Sequence, residues 1–175
     1  MAGPRQTGAP GRESGALHLD EILLRVGKLN YTWSNTESLL IHLIAGLARV
    51  DKDTALIIFL TLNTTRARLD LVGRLAKMER TPVAERNDVL DVTERFSRIS
   101  ALRNKYNHCI YSFDANGGSP KTILMRISDR KDAIRYGKTD PINSAELETI
   151  DAAIETIADL NREIWRLAQR HGYPI

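Results

Sequence analysis

A short polar cluster, Arg103-Asn104-x-x-x-His108, combines side chains that can act on a phosphodiester. A guanidinium binds phosphate oxygens through a two-pronged fork, and an imidazole exchanges protons near neutral pH. RNA carries its own nucleophile, the 2′-hydroxyl, so its cleavage needs a base, an acid and positive charge at the phosphate. We therefore expect His108 to act as base or acid, Arg103 to bind phosphate, and Asn104 to orient the imidazole or the ribose. This chemistry requires no metal and no other cofactor.

The spacing of the cluster places its members on different parts of one helix. Arg103 and His108 lie about 140° apart on an ideal helix, whereas Asn104 and His108 share a face. One copy cannot easily surround a phosphate, but two copies related by a twofold axis place two arginines and two histidines around one cleft. The sequence therefore predicts a homodimer that binds RNA.

Four neighbouring side chains are candidates for further contacts to RNA. An aromatic ring can stack on an unpaired base, and polar side chains can bind phosphates or base edges. For the two tyrosines, packing inside the protein is the competing interpretation. The predicted RNA contacts are Lys105, Tyr106, Asn107 and Tyr111.

A structural role is the competing interpretation of the whole cluster. Basic residues near a helix C-terminus stabilise the last carbonyl groups and the helix dipole. Arg103 falls on the same side of the helix as Phe96 and Ile99, where a side chain is partly buried. A buried guanidinium needs a carboxylate partner, for which Asp70 and Glu94 are candidates.

Apolar stripes predict four long helices that position the cluster. The first is one continuous seam, in which a potential capping box at Ser34 and Glu37 causes no break. Asp53 is the expected N-cap of the second helix, and Asn143, with Glu146 reaching back, is that of the fourth. The predicted helices cover about residues 17–50, 54–80, 82–110 and 143–168.

The second predicted helix opens with an apolar run from Ala55 to Leu60. A buried strand fits such a run equally well over six residues, but helical spacing continues beyond it and favours a helix. An opening that is apolar on every side indicates burial among several neighbours, or a subunit contact.

The segment between the third and fourth helices has a different pattern. β-forming residues flank Asn116-Gly117-Gly118, which predicts a β-hairpin insertion over residues 109–128. Residues 129–142 are polar and are predicted to form a loop. The predicted fold class is therefore mainly α: an up-down four-helix bundle with a β-hairpin inserted between the third and fourth long helices.

The N-terminal residues 1–16 are rich in glycine, proline and polar residues and lack periodicity, which predicts a disordered tail ahead of a helical domain over 17–175. Contact of this basic tail with RNA and simple solvation are both open interpretations.

No signal peptide and no apolar stretch long enough to span a membrane are evident. A single cysteine, Cys109, excludes an intrachain disulfide, and the expected location is the cytoplasm.

Charge and scattered polar residues leave further alternatives open. The net charge is only +3, although 18 of the 25 basic residues are arginine, so an anionic partner is allowed and not demanded. Asn161, inside the apolar seam of the last helix, either fixes a helix or dimer contact or lies at a half-exposed edge. Five arginines fit either a phosphate-binding face or a solvated helix surface: Arg66, Arg68, Arg74, Arg95 and Arg98.

The Arg103-Asn104-x-x-x-His108 cluster, at the end of the third predicted helix, resembles the signature of the HEPN superfamily. The resemblance covers residues 17–170 in architecture and residues 102–108 position by position. It implies a metal-independent endoribonuclease that cleaves single-stranded RNA through a composite dimer site. It also implies a toxin–antitoxin or other defence role, with an antitoxin or regulatory protein as partner. The alternative is a non-catalytic helical dimer that binds RNA, a nucleotide or another protein.

Overall fold

The computed structural model describes residues 13–113, 120–135 and 137–175. Within these ranges the chain is mainly helical and carries short antiparallel strands between its last two helices. The helices are α1 (Glu13–Ser38), α2 (Leu40–Ala48), α3 (Lys52–Thr61), α4 (Thr65–Ala76), α5 (Val83–Asn107) and α6 (Ser144–Arg170). The strands are β1 (Cys109–Ser112), β2 (Lys121–Leu124), β3 (Ser128–Arg130), β4 (Ala133–Arg135) and β5 (Thr139–Pro141).

The long helices α1, α5 and α6 pack together around an aliphatic core. The rings of Trp33 on α1 and Phe96 on α5 meet at its centre, with centroids 4.6 Å apart. Asn161 of α6 donates a hydrogen bond to Thr36 of α1 at 3.2 Å, so this polar position joins two helices inside the chain. Helix α4 packs against α5 and α2, and α3 packs against α2.

The first predicted helix is divided in the structure. It begins at Glu13, four residues before the predicted start, and the helical bonding pattern changes at Leu39. There the amide of Leu39 bonds to the carbonyl of Thr36, three residues back, as in a tighter 3₁₀ turn. Hydroxyls of Thr36 and Ser38 also bond to carbonyls of the preceding turn, which weakens the regular pattern. The prediction of one unbroken helix was wrong.

The second predicted helix is also divided, into α3 and α4. Thr64 adopts an extended conformation and its hydroxyl accepts a hydrogen bond from the amide of Ala67, which makes it the N-cap of α4. Asp51, and not the predicted Asp53, caps α3 by accepting from the amide of Thr54. The described residues form three long helices and three shorter ones, and the up-down arrangement of a four-helix bundle stays a prediction.

The apolar opening of α3 is largely exposed, contrary to the prediction of burial among several neighbours. Ala55 and Phe59 are the buried residues of this helix, while Leu56, Ile57 and Leu60 face outward. The alternative prediction, that this surface is a subunit contact, stays a prediction.

The predicted hairpin is present as the antiparallel pair β1 and β2, in which Ile110 lies opposite Ile123. Its turn at Asn116-Gly117-Gly118 lies outside the described residues, as do residues 1–12 of the predicted tail. The segment predicted as a polar loop carries strands instead: β5 pairs with β2, and β3 pairs with β4. These strands are three residues long, and the side chains of β4 and β5 are mostly exposed, so β4 and β5 lack the alternation by which a strand is predicted.

The small sheet is attached to the helices through its own apolar contacts. A second buried cluster, against which Tyr111 of β1 packs, consists of Ile22 of α1, Leu147 of α6 and Ile142, which lies between β5 and α6. This contact fixes the sheet beside the C-terminal end of α5. The polar cluster therefore lies where a helix end meets a sheet.

Candidate functional site

The C-terminal end of α5 is held in place by backbone hydrogen bonds on both sides of His108. The amide of His108 donates to the carbonyl of Asn104 at 3.1 Å, which closes the last turn of the helix. The carbonyl of His108 accepts from the amide of Met125, which follows β2, at 3.1 Å. The backbone is thus fixed while the imidazole is exposed to solvent.

A groove of about 480 Å³ lies between this helix end and the sheet. Asn104 and His108, which the sequence places on one helix face, both line it. Cations from three different segments line it as well. Its lining residues are Ala101, Asn104, Lys105, His108, Cys109, Thr122, Leu124, Met125, Arg126, Lys138 and Asp140.

The charges of the groove are only partly compensated within the chain. Lys105 donates to both carboxylate oxygens of Glu146, at 3.2 and 3.0 Å. Lys138 pairs with Asp140 at 2.8 Å, and this hydrogen bond raises the pKa of the lysine and lowers that of the aspartate. Arg126 is exposed, and no ion pair to it occurs within the described residues. An anion entering the groove would therefore meet net positive charge.

Arg103 occupies a different place from the rest of the cluster. Its guanidinium carbon lies 5.4 Å from the centre of the Trp33 ring, and one terminal nitrogen donates to Asn104 Oδ1 at 3.2 Å. Its Nε atom is buried and has no hydrogen-bond partner among the described residues. Arg103 is not among the residues that line the groove, although Asn104 joins it to them.

The predicted carboxylate partners of Arg103 are engaged elsewhere. Asp70 pairs with Arg66 and Glu94 pairs with Arg98, each one turn away on its own helix. The guanidinium of Arg103 instead rests on an aromatic ring, which leaves its positive charge uncompensated by any carboxylate in the described part of the chain.

Tyr106 is a core residue, which favours the competing interpretation, packing inside the protein, over contact with RNA. Only 2% of it is exposed, and its hydroxyl donates to Glu146. Burial and this contact with a carboxylate raise the pKa of Tyr106 well above its ordinary value. Glu146, expected to close a capping box at the start of α6, instead joins α6 to the end of α5.

Tyr111 also has a structural role, which favours packing inside the protein, and its contact with RNA stays a prediction. Its hydroxyl donates to the carbonyl of Tyr106 at 2.8 Å, and its ring packs on the second apolar cluster. Burial raises the pKa of Tyr111. Asn107 is exposed at the last position of α5 but does not line the groove. Of the four predicted contacts, Lys105 alone lines the groove.

Other polar side chains are engaged within the fold, among them two histidines and four of the five arginines named above. His42 Nδ1 lies 2.7 Å from the carbonyl of Pro174, and His171 Nε2 lies 3.3 Å from Asp88. Four of the five arginines proposed as a phosphate-binding face pair with carboxylates. These pairs are Arg66–Asp70, Arg68–Glu37, Arg95–Glu163 and Arg98–Glu94.

Several residues of the site were not found from the sequence. Arg126 and Lys138 come from segments interpreted as the end of a hairpin and a loop, and Trp33 was interpreted as one position of an apolar seam. No local pattern marks them, because their neighbourhood is created by the packing of the sheet and α1 against α5. Glu146 was noticed only as a capping residue.

Comparisons with known proteins add no relative: no protein-family model matches the chain, and neither the curated proteins nor the solved structures give a significant match. Across the helices that the structure describes, no stretch is both long and apolar enough to cross a bilayer. The interpretation of the site therefore depends on its own geometry and on the short motif.

Proposed function

We propose that this protein is a metal-independent endoribonuclease that acts on single-stranded RNA at the end of α5. The observation that carries the proposal is the open groove in which Asn104 and His108 stand beside Lys105, Arg126 and Lys138. Cations in a solvent-accessible groove favour a phosphodiester backbone, and an exposed imidazole at that groove can exchange protons with it.

Cleavage would use the 2′-hydroxyl of the RNA as nucleophile. One imidazole takes the 2′ proton while the 2′ oxygen bonds to phosphorus, and the bond from phosphorus to the 5′ oxygen breaks. A second protonated group gives a proton to the departing 5′ oxygen. Cationic side chains stabilise the charge on the phosphorane oxygens. The products are a 2′,3′-cyclic phosphate and a 5′-hydroxyl.

Two features support a site built from two copies of the chain. Arg103 does not line the same groove as His108, so a second copy is a source of the missing guanidinium. Met125, which lines the groove, and Ile127, next to the groove residue Arg126, are large apolar side chains that are also exposed, by 68% and 65%. Such a patch is typical of an interaction surface. A homodimer would cover it and bring two helix ends together.

The partner and location follow from the resemblance rather than from geometry. The Arg103-Asn104-x-x-x-His108 motif on a mainly helical fold resembles HEPN proteins, many of which belong to toxin–antitoxin and other defence systems. An antitoxin or regulatory protein that covers the groove, and a cytoplasmic location, are part of the same proposal.

The test is cleavage of a labelled single-stranded RNA in the presence of EDTA. We expect Arg103→Ala and His108→Ala each to lower the cleavage rate by about 10²- to 10⁴-fold. His171→Ala is the matched control, because His171 pairs with Asp88 at the other end of α5, and it should cleave like the unchanged protein. Full activity in both Arg103→Ala and His108→Ala would refute the assignment.

A second candidate is a non-catalytic helical dimer that binds RNA, a nucleotide or another protein. Arg103 lies over Trp33 and does not line the groove, so a single copy does not present Arg103, Asn104 and His108 to one phosphate. This arrangement favours the non-catalytic function. Binding of RNA by the groove without strand cleavage would identify this function.

A further inference from the structure

An aromatic ring holds the guanidinium of Arg103, and we infer that Trp33 is the positioning residue for this arginine. The inference rests on the proposed function, because it concerns how the phosphate ligand is placed. Trp33 is 1% exposed and fixed against Phe96, so its indole is a rigid surface. The guanidinium carbon of Arg103 lies 5.4 Å from the ring centre, within range of a cation–π contact.

Glu37 fixes the orientation of this indole and strengthens its attraction for a cation. The Trp33 Nε1–H donates to Glu37 Oε2 at 3.1 Å. Donation to a carboxylate polarises the indole toward higher electron density, and a cation over its face gains from that. Glu37 is itself held by Arg68 at 2.9 Å and by Thr65 at 2.6 Å. The network thus connects α4 through α1 to the end of α5.

Arg68 shows what a purely structural arginine looks like in this protein. Its guanidinium lies 3.9 Å from the Phe59 ring centre, and it donates to the Glu37 carboxylate and to the Phe59 carbonyl. Its charge is therefore compensated. Arg103 has a ring but, within the described residues, no carboxylate, and its buried Nε has no acceptor.

A ring and a carboxylate position an arginine with different consequences for phosphate binding. A carboxylate would neutralise the guanidinium and occupy its fork. A ring face orients the guanidinium plane but leaves the charge and most donors available. Trp33 therefore positions Arg103 and leaves its charge and N–H donors available to bind a phosphodiester.

The kinetic test compares Trp33→Phe with Trp165→Phe. The first change shrinks the ring beneath Arg103 and removes the bond to Glu37. The second makes the same change where the indole stacks on His42, with centroids 5.0 Å apart. We expect Trp33→Phe to lower kcat for RNA cleavage about tenfold with KM changed less than about twofold. Trp165→Phe should change neither value.

A second measurement needs no ligand and no activity. The Arg103 Nε–H signal in a nitrogen–proton correlation spectrum, identified by its loss in Arg103→Lys, reports the ring current of Trp33. It should shift in Trp33→Phe and stay in place in Trp165→Phe. If Trp33→Phe fails to fold, Glu37→Gln, which keeps the ring and removes the charge on its acceptor, should move the same signal in smaller measure.

The outcomes separate this inference from the proposed nuclease. An active wild-type protein whose Trp33→Phe variant cleaves normally and keeps the Arg103 signal in place would overturn the inference and leave the nuclease intact. A wild-type protein that cleaves no RNA would refute the nuclease. In that case a signal that moves only in Trp33→Phe supports the positioning of Arg103, and an unmoved signal overturns it.

Discussion

The two ends of α5 use polar side chains in opposite ways. At the N-terminal end, Glu85 accepts from the hydroxyl of Tyr173 at 2.5 Å, and Asp88 accepts from Arg170 at 2.8 Å. At the C-terminal end, His108 and Arg126 are exposed and form no ion pair within the described residues. The first end uses its charges to hold the chain's own last residues, whereas the second leaves cations facing a groove.

The comparison separates residues that stabilise the fold from residues that are available for a ligand. Gly172, with φ of +65°, turns the chain after α6 and brings Tyr173 back over Gly46, where an added Cβ would overlap the tyrosine ring. Nothing comparable covers His108 among the described residues. Changes at the first end should alter stability and leave RNA binding unchanged, and changes at the exposed residues of the second end, His108 and Arg126, should do the reverse.

The largest effect on stability is expected from Tyr173→Ala. The Tyr173 ring is buried and its hydroxyl bonds to Glu85, so its loss should cost about 3–5 kcal/mol. The melting temperature should fall by roughly 10 °C. Tyr173→Phe, which loses only the hydrogen bond, should cost about 1 kcal/mol. Loss of RNA binding by Tyr173→Ala at a temperature where it remains folded would contradict the division between the two ends.

Glu146→Gln tests the contact of Glu146 with Tyr106 and Lys105 at the C-terminal end of α5. We expect it to lower the free energy of unfolding by about 1–3 kcal/mol near neutral pH. Burial alone would raise the pKa of Glu146, but hydrogen bonds from Tyr106 and Lys105 outweigh it and lower the pKa below 4.5. The stabilisation by the ionised carboxylate is therefore fully present above pH 4.5 and is lost as the pH falls through the lower, folded-state value.

Urea unfolding of the wild-type protein and Glu146→Gln over a series of acidic pH values measures this dependence. The difference in unfolding free energy between them should shrink as the pH falls below 4.5. A difference that stays constant through this range would show that the charge of Glu146 contributes nothing to the contact.

Arg126→Ala and Arg170→Ala give the smallest expected effects and the sharpest contrast. Arg126 lines the groove, so its loss should weaken binding of a 2′-O-methyl oligoribonucleotide several-fold. The slope of the logarithm of the binding constant against the logarithm of salt concentration should become shallower by about 0.7. Arg170 is also exposed but pairs with Asp88, and its loss should cost under about 1 kcal/mol of stability and leave the salt dependence of RNA binding unchanged. If RNA binding by the two variants depended equally on salt concentration, Arg126 and Arg170 would not differ in their role in RNA binding.

Much of the helical structure follows from patterns that a sequence displays. The helices α5 and α6 are long amphipathic segments, and Asn143 caps α6 by accepting from the amide of Glu146 as expected. The breaks at Leu39 and Thr64 were missed because apolar spacing continues through both. Thr64 carried a signal, as a residue type that favours N-caps, but the continuous stripe outweighed it in the prediction.

The site was predictable only along α5. Asn104 and His108 lie on one face of a helix, and their meeting in the groove follows from helical spacing. Tyr106 falls on the apolar stripe of the same helix, and its burial agrees with the interpretation of packing inside the protein. Trp33 and Arg126 arrive from segments far away in sequence, and only the packing of α1 and of the sheet determines that they lie near α5.

The most direct test of the central claim is a map of amide chemical shifts during titration with a non-cleavable 2′-O-methyl single-stranded RNA. The account predicts shifts at Asn104, His108 and Arg126, with Asp88 and Tyr173 unmoved. Shifts centred on Asp88 and Tyr173 would contradict the claim that RNA binds at the groove. The absence of any shift at a large molar excess of RNA would contradict it as well.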